Sequence, residues 1–348
     1  MSLGGVTSTS GDGLLEFRRL VESASHSKRS HGGGSEFSAG WSWRRRWWFA
    51  AKPMSWPKLL VPALVGQSMG ASDAASWSPV AGAGGVLITV GLLCFIVFLN
   101  DAGDERVDRI KREMFPEACS PKTIPDGVLS RRALIVAGAL AAIMTMFVTA
   151  LLGDALARPL LPWFTAASLI LFLAYSFPPL QLNYRGGGEL LEMFGVGVVL
   201  PWLHLYLQSG SVWSGLLWCV PGLALTSMAS ALASGLSDEE SDLVGGKRTF
   251  VTVFGNRAAR RGAEWLVLMS CVYWVLMTRF MPDVLPWWIV APVVALTVLY
   301  WRAIRRCSGR AQTNAFDAHR RYKALLHRAI WFGGVLLSFG FTLKAIYS

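Results

Sequence analysis

The amino-acid sequence predicts an all-α, polytopic membrane protein with about nine transmembrane helices. Of its 348 residues 53% are hydrophobic and only 16% are charged, compared with about 25% charged residues in soluble domains. This composition argues against an ordinary soluble domain and against a disordered chain. The net charge of +11 would suit a nucleic-acid-binding protein, but the scarcity of charged residues would not, so we expect no nucleic-acid partner.

Nine apolar stretches account for the predicted helices, because each approaches the roughly 20 residues that cross a bilayer. In chain order they are residues 57–73, 79–100, 133–153, 159–178, 190–208, 212–236, 263–281, 284–304 and 325–346. The third and fourth stretches contain no charged residue at all. No charged residue lies between Met193 and Ser237, and Ser209 and Gly210 divide this segment between the fifth and sixth spans.

Two of the later spans contain charged residues near their ends. The seventh carries Glu264 near its start, and the ninth carries Arg328 and Lys344 near its ends. Long charged side chains near a span end can reach water, so we retain both spans.

The distribution of basic residues predicts the orientation of the spans. Alternating the loops between two sides leaves all but three of the 33 Lys and Arg residues on the side that holds the N-terminus. The exceptions are Arg158, Arg279 and Lys344. Because basic loops stay in the cytoplasm, we predict a cytoplasmic N-terminus, a C-terminus outside and a plasma (inner) membrane location.

The N-terminal region divides into two parts before the transmembrane domain of residues 57–348. Residues 1–40 are rich in Gly and Ser and are predicted to be disordered. Residues 41–56 alternate Trp with Arg, a pattern typical of a helix lying on an anionic leaflet, although a plain linker would carry the same positive charge. The basic loop 302–328 likewise indicates anionic lipid as a partner.

Two acidic loops fall on the predicted cytoplasmic side. The first follows the second span and contains Asp101, Asp104 and Asp108, whose spacing would place them on one stripe of a helix. The second follows the sixth span and contains Asp238 and Asp242, one helical turn apart. Lys247, Arg248 and Thr249 then follow a Gly-Gly pair, where flexible backbone and cations could embrace an anion.

Either loop alone could be a solvated surface satisfied by nearby arginines. Two such loops on one face, each at the end of a long apolar span, favour a shared function. Oxygen ligands suit Mg²⁺, which is commonly held by a few carboxylates together with substrate phosphates. A diphosphate could then stay at the water interface while an isoprenoid chain enters the membrane.

These residues resemble the UbiA-type intramembrane prenyltransferases. The family's first motif resembles Asn100 to Asp108, and its second resembles Asp238 to Thr249. Lys52-Pro53 is similar to the family's Arg-Pro in the first helix, and residues 125–130 resemble a stretch before the third span. The resemblance covers residues 50–346 and implies a UbiA-type helical bundle.

The resemblance also implies a reaction and roles for residues. Two Mg²⁺ ions, held by Asp101, Asp104, Asp108, Asp238 and Asp242, would bind a prenyl diphosphate. Asn100, Lys247 and Arg248 would touch the diphosphate, and an electron-rich aromatic acceptor would attack the carbocation. Asp104, Asp108, Asp238, Asp242 and Tyr175 are the residues assigned to catalysis.

Residues 175–189 bear on the acceptor. They resemble a stretch of the 1,4-dihydroxy-2-naphthoate polyprenyltransferases of menaquinone synthesis, with Gly187 where Leu is usual, and their start equally resembles chlorophyll-type prenyltransferases. The resemblance makes Tyr184, Arg185 and Glu189 contacts of the acceptor or headgroup. Arg185 and Glu189 could instead simply pair across one helical turn.

Two alternative functions stay open from the sequence. A cyclase of the same fold would ionise a prenyl diphosphate with the same aspartates and quench the cation internally. A membrane transporter or scaffold could use the acids to bind a cation, although acids at span ends rather than mid-membrane do not favour transport.

His204, within the fifth span, is expected to pack or to hydrogen-bond another helix.

Overall fold

The computed structural model describes residues 37–347, and every regular element in this part of the chain is helical. The helices, in chain order, are α1 (Trp43–Ala50), α2 (Pro57–Asp73), α3 (Pro79–Gly103), α4 (Glu105–Met114), α5 (Arg131–Ala155), α6 (Leu161–Ser176), α7 (Leu182–Arg185), α8 (Gly188–Phe194), α9 (Leu200–Ser209), α10 (Val220–Gly235), α11 (Glu239–Val244), α12 (Phe250–Phe280), α13 (Trp287–Ser308) and α14 (Phe316–Tyr347). A π-helical segment, Gly195–Val199, joins α8 to α9.

Within the described residues, seven helical segments are long and apolar enough to cross a membrane. They comprise α3, α5, α8 with α9, α10, α12, α13 and α14. The two other predicted spans coincide with the shorter helices α2 and α6, of 17 and 16 residues. The predicted fold class, an all-α polytopic membrane protein, is thereby confirmed.

Two helices begin well before the predicted spans. Helix α12 starts at Phe250 and α14 at Phe316, because each is helical through a charged stretch that hydropathy excludes from a span. These stretches contain Arg257, Arg260 and Arg261 in α12, and Asp317, Arg320 and Arg321 in α14. The start of α12 is fixed by a reciprocal cap: Thr249 Oγ1 accepts from Thr252 N at 3.4 Å, and Thr249 N donates to Thr252 Oγ1 at 2.9 Å. Gly255, at φ 81°, then kinks the helix.

The N-terminal segment is helical where the structure describes it. Ser42 Oγ accepts from Arg45 N at 3.4 Å and so caps α1. Trp47 packs against Phe98 of α3, with ring centroids 5.5 Å apart, while Trp43 is 72% exposed. The predicted contact of helix α1 with an anionic leaflet stays a prediction. The disorder predicted for residues 1–40 falls almost wholly outside the described residues, of which 37–40 form a turn.

The core of the bundle is drawn together by helices that approach closely. A Cβ added to Gly66 of α2 would lie 2.3 Å from the carbonyl oxygen of Pro201, and one added to Gly70 would lie 2.5 Å from that of Leu205. The backbones of α2 and α9 can pack at this distance only because these positions lack side chains.

His204 of α9 is held between α2 and α3. Its Nδ1 lies 3.0 Å from Gln67 Nε2, and its Nε2 lies 3.0 Å from Thr89 Oγ1. Because the Gln67 amide is a donor, Nδ1 accepts and Nε2–H donates, which makes the ring neutral. The expected hydrogen-bonding role of His204 between helices is confirmed.

Candidate active site

The two acidic loops meet at one end of the bundle. Lys247 Nζ lies 3.0 Å from Asp104, and Lys111 of α4 forms an ion pair with Asp238. These contacts join segments more than one hundred residues apart in the chain. The predicted convergence of the loops is therefore a feature of the folded chain.

The first acidic loop does not form a single helical stripe. Helix α3 ends at Gly103, and Asp104 is the N-cap residue of α4, with φ −93° and ψ 6°. Its carboxylate accepts from Asn100 Nδ2 at 3.2 Å and from Lys247. This break turns α4 away from α3 and leaves Asp104 facing the second loop.

The two other aspartates of this loop are engaged elsewhere. Asp101, only 3% exposed, pairs with Lys52 and accepts from Thr123 Oγ1 at 2.5 Å. Asp108 accepts from Lys122 Nζ at 2.6 Å. Burial raises the pKa of Asp108, and Lys122 opposes that change.

The second loop carries two motif aspartates on and beside α11, Asp242, which is buried, and Asp238, whose side chain is 34% exposed. Burial raises the pKa of Asp242; Lys247 opposes this, whereas the carboxylates of Asp238 and Asp104 add to it. Burial would also raise the pKa of Asp238, but Lys111 and other nearby lysines hold it below its usual value. Burial and neighbouring carboxylates thus oppose ionisation of Asp242, whereas the lysines around both acids favour it.

The acids open onto a cavity of about 340 Å³. Its polar mouth is lined by Asn100, Asp104, Asp238, Asp242, Lys247 and Lys52. Its interior is lined by apolar side chains of α2, α3, α6 and α9, namely Leu59, Leu92, Leu93, Ile96, Phe172 and Leu200. A charged group and a long hydrocarbon chain could thus be bound end to end.

Comparison with known proteins bears on this geometry. The model of the family described as "UbiA prenyltransferase family" matches residues 59–326. The chain belongs to the UbiA prenyltransferase family. A search of curated proteins found no match.

Solved structures share the fold of this UbiA-family chain. A UbiA homolog from Archaeoglobus fulgidus bound to GPP and Mg²⁺ is 16% identical, with a TM-score of 0.63 over 84% of this chain and 99% of that one. The same homolog bound to DMAPP and Mg²⁺ gives a TM-score of 0.61 at 16% identity, over 83% and 97% of the two chains. The apo homolog from Aeropyrum pernix K1, also 16% identical, gives 0.56 over 78% and 96%.

The acids of this UbiA-family protein fit a magnesium ion that arrives with a diphosphate. Within residues 37–347, no three His, Cys, Asp or Glu side chains are grouped so that they could hold a metal ion by themselves. Mg²⁺ usually takes one or two carboxylates and completes its shell with water and substrate phosphates. Asp104, Asp238 and Asp242 all line the cavity, so one or two of them could take this part once a diphosphate is bound.

The aromatic and acceptor-side residues predicted from the sequence are dispersed. Tyr175 lines the cavity and stacks on Phe172, with ring centroids 5.8 Å apart. Tyr184 lies under Lys247, whose Nζ is 5.2 Å from the ring centroid, and its carbonyl accepts from Arg248 N at 3.1 Å. Neither Tyr184 nor Arg248 is among the residues that line the cavity.

Glu189 and Arg185 also differ in position. Glu189 lines the cavity, and its Oε1 accepts from Phe250 N at 2.7 Å, which ties α8 to the start of α12. Arg185 is not part of the cavity wall. In the described part of the chain Glu189 caps α12 and forms no ion pair with Arg185, although their spacing would allow one.

Sequence reasoning missed the basic partners of the acids. Lys111 and Lys122 each neutralise a motif aspartate, and Lys58 reaches into the cavity wall. The sequence offered one local indication for Lys111. It lies one helical turn after Asp108 in an amphipathic segment, so its side chain was expected on the same side of the helix as that aspartate.

Proposed function

We propose that this protein transfers a prenyl group from a prenyl diphosphate to an aromatic, quinone-precursor-like acceptor within the membrane, with Mg²⁺ as cofactor. The observation that carries the proposal is the single cavity that joins the acids of both loops and Lys247 to an apolar interior. The family to which the chain belongs supports the reaction class. The A. fulgidus homolog, bound to DMAPP or GPP with Mg²⁺, supports the substrate and the metal.

The residues at the cavity mouth would have two roles, binding of Mg²⁺ and binding of the diphosphate. Asp104, Asp238 and Asp242 would hold Mg²⁺, which supplies positive charge to the departing diphosphate when bound. Lys247, already beside Asp104, would donate hydrogen bonds to the same diphosphate, and Asn100 would fix the Asp104 carboxylate. Stabilising the leaving group in a water-poor site lowers the barrier to ionisation.

The proposed transfer balances without a covalent enzyme intermediate. The allylic C–O bond breaks, and its electron pair leaves with the diphosphate. A ring carbon of the acceptor then donates an electron pair to the allylic carbon, and the ring proton passes to the released diphosphate or to water, which restores aromaticity. Tyr175, whose ring lies in the cavity wall, would face the allylic cation with its π electrons.

Further assignments belong to the same proposal. We assign Asp101 and Asp108 to the metal site through rearrangement of their lysine partners, and Arg248 to the diphosphate. Tyr184, Arg185 and Glu189 are assigned to the acceptor or headgroup. The similarity of residues 175–189 to the 1,4-dihydroxy-2-naphthoate polyprenyltransferases supports a menaquinone-type acceptor.

The membrane setting is also proposed. The bias of Lys and Arg supports a cytoplasmic N-terminus and active site, a C-terminus outside and a plasma (inner) membrane location. Helix α1 and the basic loop 302–328 would contact anionic lipid.

A product analysis tests the function. Purified protein in liposomes is incubated with Mg²⁺, labelled prenyl diphosphates of several lengths and a pool of hydroxybenzoate, dihydroxynaphthoate and hydroquinone acceptors. The proposal predicts labelled, prenylated aromatic products together with released diphosphate. A labelled cyclic terpene without an aromatic ring would indicate a cyclase instead, and no diphosphate release under any condition would favour a transporter or scaffold.

A further inference from the structure

We propose that Lys58, Asn183, Glu192 and Gly195 form the subsite of the cavity that binds the prenyl acceptor. The inference rests on the proposed function and identifies the part of the cavity in which the second substrate lies. None of these residues belongs to the aspartate motifs, and all four line the cavity.

The ion pair between Lys58 and Glu192 is the first observation. Lys58 Nζ lies 2.7 Å from Glu192 Oε1, and the side chains are 23% and 16% exposed. Glu192 is in α8, within a segment that can cross the membrane. Ionisable groups in such segments are costly, so they usually serve a binding or transport role.

An unpaired donor on Asn183 is the second observation. The Asn183 side chain is 5% exposed, yet its Nδ2 has no hydrogen-bond partner among the described residues. A buried donor left unpaired costs about 1–3 kcal/mol, so a ligand that accepts from it would gain affinity. Asn183 lies close to the aromatic ring of Tyr175, and Gly188 separates the two. A Cβ added to Gly188 would be 3.0 Å from Asn183 Cα and 3.1 Å from Tyr175 Cε2.

Open space beside Gly195 is the third observation. A Cβ added there would meet no atom within 4 Å, although the backbone is helical, with φ −62°. Gly195 begins the π-helical segment, and such segments occur frequently at functional sites. Gly188, Glu192 and Gly195 fall on one stripe of the helix. The Lys58–Glu192 ion pair and the open space beside Gly195 therefore lie along the same face of the helix.

The chemistry of this face selects the acceptor among the proposed substrates. The Glu192 carboxylate would repel a diphosphate, and a hydrocarbon chain could satisfy neither the ion pair nor the Asn183 amide. An aromatic ring with a hydroxyl and a second oxygen could donate to Glu192 and accept from Lys58 and Asn183. We therefore assign to this subsite a flat, oxygenated aromatic acceptor.

Charge variants separate binding from structural roles. Glu192→Gln, Lys58→Gln and the exchange Lys58→Glu with Glu192→Lys are assayed in liposomes with the pooled acceptors named above, and then with whichever of these is prenylated. We expect each variant to raise the KM for the acceptor about tenfold or more, since a charge-assisted hydrogen bond is lost, while the KM for the prenyl diphosphate stays within about twofold. The exchange variant is expected to keep the thermal stability of the wild type without recovering acceptor binding.

A purely structural ion pair predicts the opposite result for the exchange variant. It would restore both stability and acceptor KM, and that outcome would overturn the subsite. A rise in the KM for the prenyl diphosphate alone would overturn it as well.

A size variant tests the open wall independently. Gly195→Leu fills the space without a backbone clash, and we expect it to discriminate against two-ring acceptors more than against one-ring acceptors. Gly309→Leu is the matched control, because Gly309 also has no atom within 4 Å of an added Cβ but lies at the end of α13. Equal effects of Gly195→Leu on both acceptor sizes would contradict the assignment. Turnover by the wild type with unchanged acceptor KM in every variant would refute the subsite alone, whereas an inactive wild type would refute the proposed function too.

Discussion

At the end of the bundle that carries the acidic loops, the buried polar side chains include the charged Asp242 and Lys247, which line a cavity of about 340 Å³. Between α2, α3 and α9, nearer the opposite end, the buried polar side chains of Gln67, Thr89 and His204 are neutral and bond to one another. Glycines close the second region by bringing α2 and α9 into backbone contact. Groups that satisfy each other stabilise a fold, whereas charges that face a cavity are available to a ligand.

The largest effect expected from this contrast concerns the motif aspartates. Asp104→Asn and Asp242→Asn remove a negative charge at the cavity mouth without changing side-chain size. We expect each to lower kcat/KM for prenyl transfer by about 10²–10³ or more, since stabilisation of the leaving group is lost. Product formation in liposomes measures the change, and Asp154→Asn, an exposed position at the opposite end, is the control. Near-normal activity of both variants would contradict the conclusion that the charged groups at the cavity mouth act on the ligand.

Lys247 is expected to have the next largest effect. Burial alone would lower its pKa, but the carboxylates of Asp104 and Asp242 raise it, so the side chain is a cation. Lys247→Met is expected to raise the KM for the prenyl diphosphate by about tenfold or more, with a smaller effect of Lys247→Arg. Steady-state kinetics with varied prenyl diphosphate checks this, and a change in the acceptor KM alone would not fit.

The closed region is expected to respond in stability instead of activity. Gly66→Ala places a methyl group against the Pro201 carbonyl, so we expect a loss of about 1–3 kcal/mol of stability. Thermal unfolding in detergent provides the measurement. Gly82→Ala is the matched control, because the three atoms nearest to its added Cβ belong to the side chain of Trp77, which is 46% exposed and can move. Equal stability of the two variants would show that the close approach of α2 and α9 is not required.

The smallest effect is expected at His204. His204→Leu removes the hydrogen bonds to Gln67 and Thr89, each worth about 0.6–1.7 kcal/mol in a membrane bundle. We expect a modest loss of thermal stability, with both KM values unchanged. A large rise in either KM would show that His204 acts on substrate binding, and it would contradict the purely structural role assigned to the region between α2, α3 and α9.

The sequence predicted much of this arrangement because hydropathy and local spacing reflect short-range physics. Apolar runs marked the helices that face lipid, and the two clusters of acids marked the mouth of the cavity. Hydropathy did not predict the N-terminal parts of α12 and α14, where charged residues interrupt the apolar pattern although the backbone is helical.

Long-range partners lay beyond local reasoning. The pairing of Lys111 with Asp238 and of Lys52 with Asp101 depends on how loops distant in sequence meet. The spacing of Asp101, Asp104 and Asp108 suggested one stripe, but the helix breaks at Asp104, and only that aspartate of the three lines the cavity. The contribution of Asp101 and Asp108 to metal binding stays a prediction.

The central claim is that both acidic loops form one magnesium-diphosphate site at the mouth of an apolar cavity. Calorimetric titration of the purified protein with a non-reactive prenyl thiodiphosphate, with and without Mg²⁺, tests it most directly. We predict binding that weakens by about 100-fold, roughly 2.7 kcal/mol, when Mg²⁺ is omitted or when Asp104 or Asp242 is replaced by Asn, and that tightens with a longer prenyl chain. Equal affinity in all of these conditions would contradict the claim.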